Sequence, residues 1–287
     1  MTVDVLLKAA EAQLAEVGVE NAGLEARLLL QHLTGMNRSE LILHGGRCID
    51  ASMGQQYQQM VDRRRQRVPL QYITGSQEFW SLDFFVSPAV LIPRPETEFV
   101  LEHVLTICPP ASAVRSALDM CTGSGVMAVV LARELKCSVV AVDISPSALA
   151  VATKNLDRHG VAGLVSLVCG DLFTALHCQQ KFDLIVSNPP YIPEGLIDRL
   201  APEVGRAEPR LALSGGADGL VTLQRLAHEA QAFLMPGGWV FVEIGADQKE
   251  AALALFTAPG RCYEEVRVFE DWGGRPRVVQ ARLSAHG

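Results

Sequence analysis

The sequence lacks a long hydrophobic run. The longest uninterrupted apolar stretch covers seven residues, 126–132, whereas a helix that crosses a bilayer needs about 20. The first twenty residues contain four acidic residues and one lysine, with neither a basic start nor an apolar middle. We therefore expect no membrane partner and no signal peptide.

A basic excess is also missing. The 287 residues include 25 Lys and Arg against 32 Asp and Glu, which gives a net charge of −7. Proteins that wrap nucleic acid carry a basic surface, so a direct nucleic-acid substrate is not expected. Hydrophobic residues make up 49% of the chain, enough for a globular core in one large domain or two smaller ones, and we expect a monomer.

Paired cysteines are absent as well. The seven cysteines form an odd, scattered set without a C-x-x-C pair. This distribution is typical of reduced thiols in a cytoplasmic protein and predicts no metal site.

Helical spacing of apolar residues dominates residues 1–68, which predicts a small all-α N-terminal domain. Leu24, Leu28 and Leu29 are expected to share the buried stripe of one helix, and Gly35 to end it. The predicted helices are 5–17, Leu24–Leu33, Glu40–His44 capped by Ser39, and Ala51–Arg67.

The last of these helices ends in a cluster of arginines. Such a cluster is either a solvated helix end, favoured by the helix dipole, or a patch that docks a polyanion or an acidic partner. Its members are Arg63, Arg64, Arg65 and Arg67.

Residues 69–93 change character and predict a β-hairpin that links two domains. Aromatic and apolar residues from Tyr72 to Val86 suggest short strands. Two prolines then stiffen the chain around Arg94, and Thr97 could cap the helix that follows. Arg94 and Glu96 either contact a ligand or brace this segment.

Strand and helix signals alternate after about residue 115. This alternation predicts an α/β domain over residues 94–287, with a mostly parallel sheet covered on both faces. The last two strands, separated by two glycines, are expected to be neighbours. The predicted strands are Ala117–Met120, Ser138–Val142, Val165–Val168, Phe182–Ser187, Trp239–Ile244, Glu264–Phe269 and Arg277–Ala281.

A glycine loop follows the first of these strands and favours an adenosine-containing cofactor. Gly123, Gly125 and Ala128 satisfy a G-x-G-x-x-A pattern, and Asp143 ends the next strand, where it can accept both ribose hydroxyls. The pattern fits either a nicotinamide cofactor or S-adenosylmethionine. Asp119 favours the latter, because a carboxylate suits a cationic amino-acid end and repels a pyrophosphate.

Two further groups follow the third and fourth strands. Asp171 could accept a hydrogen bond from an adenine amino group, with Leu172 packing on the ring, although a simple turn explains them equally well. Asn188 opens an N-P-P-Y run at a strand end, where open α/β sheets bind ligands. The Asn188 side-chain oxygen and the Pro189 carbonyl can each accept one N–H of a substrate NH2 group.

The remaining residues of this run support the same chemistry. The prolines fix the carbonyl directions, and Tyr191 can stack on a planar target group. Two acceptors hold an otherwise poorly nucleophilic amide-type nitrogen in line with a methyl donor. A glutamine side-chain amide and the N6 of adenine both present such a group, so the run alone does not separate them.

The chain resembles the HemK/PrmC-type peptide chain release factor N5-glutamine methyltransferases nearly end to end. Matching segments are LIPRPETE at 91–98, SNPPYIP at 187–193 and EPRLALSGG at 208–216. The resemblance implies a class I Rossmann-like fold with a mixed seven-stranded sheet. The N-terminal helices would then contact the release factor, and the substrate would be the glutamine of its Gly-Gly-Gln loop.

The resemblance also implies a set of site residues. Cys121 and Leu172 stand where members of the family often have glycine and an aromatic ring. Cys121 is expected to be a small packing residue rather than a nucleophile. The cofactor contacts implied are Cys121, Thr122, Gly123, Ser124, Gly125, Asp143, Leu172 and Asn188, and the substrate contacts are Asn188, Pro189, Pro190 and Tyr191.

Two alternatives differ in substrate. A related enzyme class methylates a glutamine of a ribosomal protein but lacks the same PRPETE segment. A DNA adenine methyltransferase would need a basic target-reading domain, which the charge of −7 disfavours. A non-catalytic module that binds the ribosome or the release factor would not need an intact Asn188 and Tyr191.

Overall fold

A computed structural model describes residues 1–110 and 114–285 of the chain. They form two compact units. The first unit is Met1–Ser76 with Ala201–Ala207, and the second is Gln77–Leu200 with Glu208–Gly287. The first unit thus ends eight residues later than the predicted boundary at residue 68, and it includes a distant segment that no sequence pattern indicated.

The secondary structure of the described residues comprises α-helices, strands and short 3₁₀ turns. The helices are α1 (Val3–Glu16), α2 (Ala22–Thr34), α3 (Arg38–Leu43), α4 (Ala51–Arg65), α5 (Leu70–Thr74), α6 (Pro95–Ile107), α7 (Val126–Glu134), α8 (Pro146–Arg158), α9 (Pro202–Gly205), α10 (Arg210–Leu213), α11 (Val221–Glu229) and α12 (Lys249–Phe256). The strands are β1 (Ser76–Phe79), β2 (Leu82–Phe85), β3 (Ser116–Met120), β4 (Ser138–Asp143), β5 (Val165–Cys169), β6 (Phe182–Ser187), β7 (Leu234–Glu243), β8 (Tyr263–Glu270) and β9 (Pro276–Leu283).

The first unit is helical, as predicted, with details that differ. Gly35 ends α2 in the left-handed conformation, with φ of 72°. Asn37, not Ser39, caps α3, because its side chain and that of Glu40 form a reciprocal capping box. The predicted Leu24–Leu28–Leu29 stripe is wrong, since Leu24 and Leu28 are exposed and α2 buries a neighbouring face of small and apolar residues, Ala22, Ala26, Leu29 and Leu30.

Two arginines of the cluster at the end of α4 form ion pairs inside this unit. The Arg64 side chain is buried and pairs with Glu25 and, at 2.8 Å, with Glu203. Arg67 donates to the other Glu203 oxygen at 2.9 Å and to the carbonyl of Val17 at 3.0 Å. Burial of a cation requires such partners. Neither a solvated helix end nor a docking patch therefore describes these two residues.

We expect Arg64→Ala to lower the free energy of unfolding of this unit by about 2–3 kcal/mol, because the change leaves the partly buried Glu25 without its cation and Glu203 with Arg67 alone. Arg65 is the control, since its side chain is 39% exposed and its nearest carboxylate oxygen lies 3.6 Å away. Arg65→Ala should change stability by at most about 0.5 kcal/mol. Native-state hydrogen exchange of the amides in α2 and α4 measures both, and equal effects would contradict this account.

The predicted hairpin is confirmed in β1 and β2, which form a two-stranded sheet. Its two-residue turn is formed by Trp80 and Ser81, both with positive φ of 56° and 54°. Such a turn matches the twist of the strands, although it usually contains glycine or asparagine. The strand character expected at Tyr72 and Ile73 is wrong, because both lie in α5, which Gly75 ends with φ of 73°.

The second unit is built on a seven-stranded sheet with the order β5-β4-β3-β6-β7-β9-β8. All seven predicted strands are present. The pairs among β5, β4, β3, β6 and β7 are parallel, whereas β9 runs antiparallel to both β7 and β8. The sheet is therefore mixed, as the resemblance implied.

Hydrophobic side chains cover both faces of this sheet. One core cluster joins α6, α7 and α8 to it, and the other joins α11 and α12. The longest apolar run of the sequence lies in α7, where all of 126–132 is buried. A helix that is apolar all round belongs to a buried layer. Within the described residues, no helix has the length and apolar character needed to cross a membrane.

The strand order brings three loops to one edge of the sheet. β3 pairs with β4 on one side and β6 on the other, and Met120 is level with both Val142 and Ser187. Because parallel strands end at the same edge, the segments after Met120, Val142 and Ser187 are neighbours. This reversal of strand order is where open α/β sheets bind ligands.

Candidate active site

The glycine loop connects β3 to α7 in a series of left-handed turns. Cys121, Gly123 and Gly125 have φ of 63°, 55° and 82°. At Gly125 a Cβ atom would lie 3.2 Å from that of Ala152, so a side chain would be both strained and crowded. Cys121 adopts the glycine-like conformation despite its side chain. Burial raises the pKa of its thiol to about 12, which fits packing rather than nucleophilic attack.

Asp119 lies beneath this loop. It is fully buried, and one carboxylate oxygen accepts from the Thr122 hydroxyl at 2.6 Å and from the Ala128 amide at 3.0 Å. The other oxygen, Oδ1, has no hydrogen-bond partner among the described residues. Burial raises the pKa of Asp119 to about 7. Asp119 is not part of the cavity lining, so its contact with a cofactor stays a prediction.

Asp143, the last residue of β4, connects this strand to the glycine loop. Its carboxylate accepts from the Gly123 amide at 2.8 Å and from the Ser145 amide at 2.9 Å. Burial raises its pKa, and hydrogen bonds from the backbone amides of Ser145, Gly123 and Ile144 oppose that rise. A carboxylate offers about four acceptor positions, so Asp143, which lines the cavity, still has acceptor capacity.

Asp171 and Leu172 lie just after β5, and Leu172 has a φ of 49°. Asp171 forms an ion pair of 2.7 Å with Arg225 of α11, a partner that sequence reasoning did not anticipate. Arg225 also pairs with Glu229 at 3.0 Å. The acid at this strand end is therefore held by a cation on the rim of the cavity.

Asn188 follows β6, and the described residues hold its side chain from one side only. Its Nδ2 atom donates to the Thr97 hydroxyl at 2.9 Å, and that hydroxyl donates to Glu243 at 2.7 Å. The Tyr191 hydroxyl donates to the same carboxylate at 3.3 Å, while the Tyr191 carbonyl accepts from Gln248 at 3.0 Å. Both ends of the N-P-P-Y run are thus fixed by neighbouring side chains.

The loops enclose a cavity of about 240 Å³. It brings together Asp143 and Asn188, which are far apart in sequence. The predicted site residues in its lining are Cys121, Thr122, Gly123, Ser124, Asp143, Asp171, Leu172, Asn188 and Pro190. Four other predicted site residues are not in the lining: Asp119, Gly125, Pro189 and Tyr191.

The segment before α6 has a bracing role. Arg94 pairs at 2.7 Å with Glu208, whose side chain is fully buried and also accepts from the Ile92 amide at 3.1 Å. Glu96 lies 3.6 Å from Arg277. Neither Arg94 nor Glu96 is in the cavity lining. The helix α6 begins at Pro95, so Thr97 sits inside its first turn and is not the predicted cap.

Sequence reasoning missed Thr97 and Glu243 as members of the site. The one available signal was the position of Glu243, a charged residue at the end of the apolar run Trp239–Val242. A carboxylate that ends a buried strand at the ligand edge of a sheet is a candidate for function.

The sheet order, the glycine loop, the acid after β4 and the N-P-P-Y run after β6 are the features of a class I methyltransferase. A family profile described as "PrmC N-terminal domain" matches residues 5–75, and one described as "Methyltransferase small domain" matches residues 96–203. A solved structure described as a methyltransferase from Pyrococcus furiosus is similar in fold, with a TM-score of 0.55 at 21% identity over 77% of this chain and 99% of that one.

Relatives that match nearly the whole chain specify the kind of methyltransferase. A release factor glutamine methyltransferase of Geobacter sulfurreducens is 44% identical over 98% of this chain and 97% of its own length. One of Moorella thermoacetica is 43% identical over 98% of both chains. The chain belongs to the release factor glutamine methyltransferase family.

Proposed function

We propose that the chain transfers a methyl group from S-adenosylmethionine to the side-chain amide nitrogen, N5, of the glutamine in the Gly-Gly-Gln loop of peptide chain release factors. The observation that carries the proposal is the orientation of the Asn188 amide. Its Nδ2 is engaged by Thr97, which directs Oδ1, a hydrogen-bond acceptor, to the other side. Membership of the family supports the same reaction.

The residues of the cavity fit an S-adenosylmethionine molecule. Leu172, Val142 and Ile144 offer an apolar wall for an adenine ring, and Asp143 has acceptor capacity left for two ribose hydroxyls. The Oδ1 atom of the buried Asp119 has no hydrogen-bond partner among the described residues and is an acceptor beneath the loop, which suits a cationic amino-acid end. When bound, the cofactor supplies an electrophilic methyl group on a positively charged sulfur.

The residues of the N-P-P-Y run would hold the substrate amide. Asn188 Oδ1 and the Pro189 carbonyl each accept one N–H, which orients the nitrogen and favours its pyramidalisation. An amide nitrogen is a poor nucleophile because its lone pair is delocalised, so orientation and charge placement supply most of the rate. The extra proton leaves after the transfer, and no strong base is needed before attack.

We also assign roles to the parts of the chain. Residues 1–68 would recognise the release factor, residues 69–93 would link the domains through the β-hairpin, and residues 94–287 would bind the cofactor and catalyse the transfer. The helical unit supports this assignment because it exposes several large apolar side chains: Val5, Leu24, Leu28, Ile42 and Leu43.

The test is methyl transfer to a whole release factor. With radiolabelled S-adenosylmethionine, the purified chain should label a bacterial release factor, and mass spectrometry should find a mass increase of one methyl group on the loop glutamine. A release factor with that glutamine changed to alanine should take up less than about one hundredth of the label, because the nucleophile is gone. Equal labelling of both proteins would refute the assignment.

A further inference from the structure

The Glu243 carboxylate is a buried group at the ligand edge of the sheet to which the proposed reaction gives no role. It is 1% exposed and ends β7 at the ligand edge of the sheet. One oxygen accepts from the Thr97 hydroxyl at 2.7 Å and the other from the Tyr191 hydroxyl at 3.3 Å. Among the described residues Glu243 has these two donors and no direct ion pair, and a buried carboxylate in such surroundings is costly to keep.

The direction of each hydrogen bond follows from the ionised carboxylate. A carboxylate only accepts, so the Thr97 hydroxyl must give its single proton to Glu243. The Thr97 oxygen can then only accept, and the group that faces it must be a donor. On Asn188 that donor is Nδ2. The opposite amide atom, Oδ1, is therefore the one that a substrate NH2 group meets.

We propose that Thr97 and Glu243 are positioning residues that fix the Asn188 amide with its oxygen, and not its NH2 group, toward the substrate. The inference rests on the proposed function, since an acceptor at this point matters because the substrate presents N–H groups. With the amide reversed, two NH2 groups would face each other, and the substrate nitrogen would lose one of its two acceptors.

The charge of Glu243 is what maintains this order. Thr97 and Tyr191 face it as donors, Arg277 of β9 lowers its pKa, and Glu96 of α6 raises it. Burial is the largest influence and raises the pKa to about 7. Below that pH the protonated acid can donate to Thr97, whose proton is then free for Asn188 Oδ1. Turnover should therefore rise with pH between about 6 and 8.

The experiment compares Thr97→Val, which removes the hydroxyl at nearly constant shape, with Thr97→Ser, which keeps it. We expect Thr97→Val to lower kcat for release factor methylation about 100-fold, the cost typical of a misplaced reacting group. KM for the release factor and the affinity for S-adenosylhomocysteine should stay within about threefold. Thr97→Ser should restore most of kcat, and the exposed control Glu250→Gln should match the wild type.

Glu243→Gln tests the role of charge. Its amide can donate to Thr97, which frees the Thr97 proton for Asn188 Oδ1 and allows the reversed amide. We expect kcat to fall about 100-fold and the rise between pH 6 and 8 to disappear. An unchanged rise in this variant would overturn the role of Glu243.

A spectroscopic readout does not depend on turnover. The side-chain NH2 resonances of Asn188 are assigned by their loss in Asn188→Ala. In the chain without cofactor, these NH2 hydrogens should exchange slowly with water in the wild type and in Thr97→Ser. In Thr97→Val they should exchange at least tenfold faster. Wild-type kcat or slow exchange in Thr97→Val overturns the inference, as does loss of S-adenosylhomocysteine binding, which would mean a merely structural role. A wild-type chain that fails to label the release factor overturns the proposed function itself.

Discussion

Replacement of Asn188 by alanine is expected to lower kcat for release factor methylation by about 10²- to 10³-fold, the cost of removing one preorganised polar group from a transition state. The side chain is proposed to hold one of the two amide hydrogens of the substrate glutamine. Without it the nitrogen is held by the Pro189 carbonyl alone and loses its alignment. Single-turnover rates with labelled cofactor measure the effect free of product release.

The affinity for the cofactor product distinguishes a catalytic role of Asn188 from a general loss of structure in the site. S-adenosylhomocysteine should bind the Asn188→Ala chain within about threefold of the wild type by calorimetry, because the proposed ribose and adenine contacts come from Asp143 and Leu172. Asn21→Ala is the matched control, since Asn21 is exposed and makes no side-chain cap for α2. Near-normal turnover of the Asn188 variant would remove the residue from catalysis.

Replacement of Asp143 by alanine should weaken S-adenosylhomocysteine binding about 100-fold, which corresponds to two lost hydrogen bonds to a charged acceptor at roughly 1.5 kcal/mol each. The same carboxylate also holds the amides of Gly123 and Ser145, so its removal disturbs the loop as well. Isothermal titration of the purified chain gives the affinity directly.

The variant Asp143→Asn separates the contribution of the ribose hydrogen bonds from that of the hydrogen bonds to the loop amides. It keeps one acceptor oxygen and replaces the other by an NH2 donor. The remaining oxygen can accept from the loop or from a second ribose hydroxyl, but not from both. We expect an affinity between those of Asp143→Ala and the wild type. Asp157→Ala, at an exposed position of α8, should bind as the wild type does. An Asp143→Ala chain with unchanged affinity would show that the loop holds the cofactor without this acid.

The sheet could be predicted because buried parallel strands are short and mostly apolar. Each of the strands β3 to β7 contains a short apolar run, although Asp119 interrupts β3 and Asp183 interrupts β6. Polar residues or a glycine turn lie at or just after the end of each run, so both the strands and the edge that faces a ligand can be located from the sequence. Asp143 and Asn188 were found in this way, and both line the cavity.

Other features depend on side chains that meet only after folding. Thr97 had the pattern of a helix cap, but Pro95 already starts α6, and the hydroxyl turns to Glu243, 146 residues away in sequence. Leu24 and Leu28 had helical spacing, but the small residues Ala22 and Ala26 allow closer packing and occupy the buried face instead. Periodicity predicts a helix more reliably than it predicts the face that is buried.

The ion pairs of Glu203 bear on any attempt to isolate the helical part of the chain. The family profile for this part ends at residue 75, yet Glu203 lies in Ala201–Ala207, which is grouped with it. A fragment cut at the profile boundary would keep Arg64 and Arg67 but lose a carboxylate that both of them use. Excision by homology alone would thus remove a counter-ion, and a shorter covalent connection that restores Ala201–Ala207 would be the sounder design.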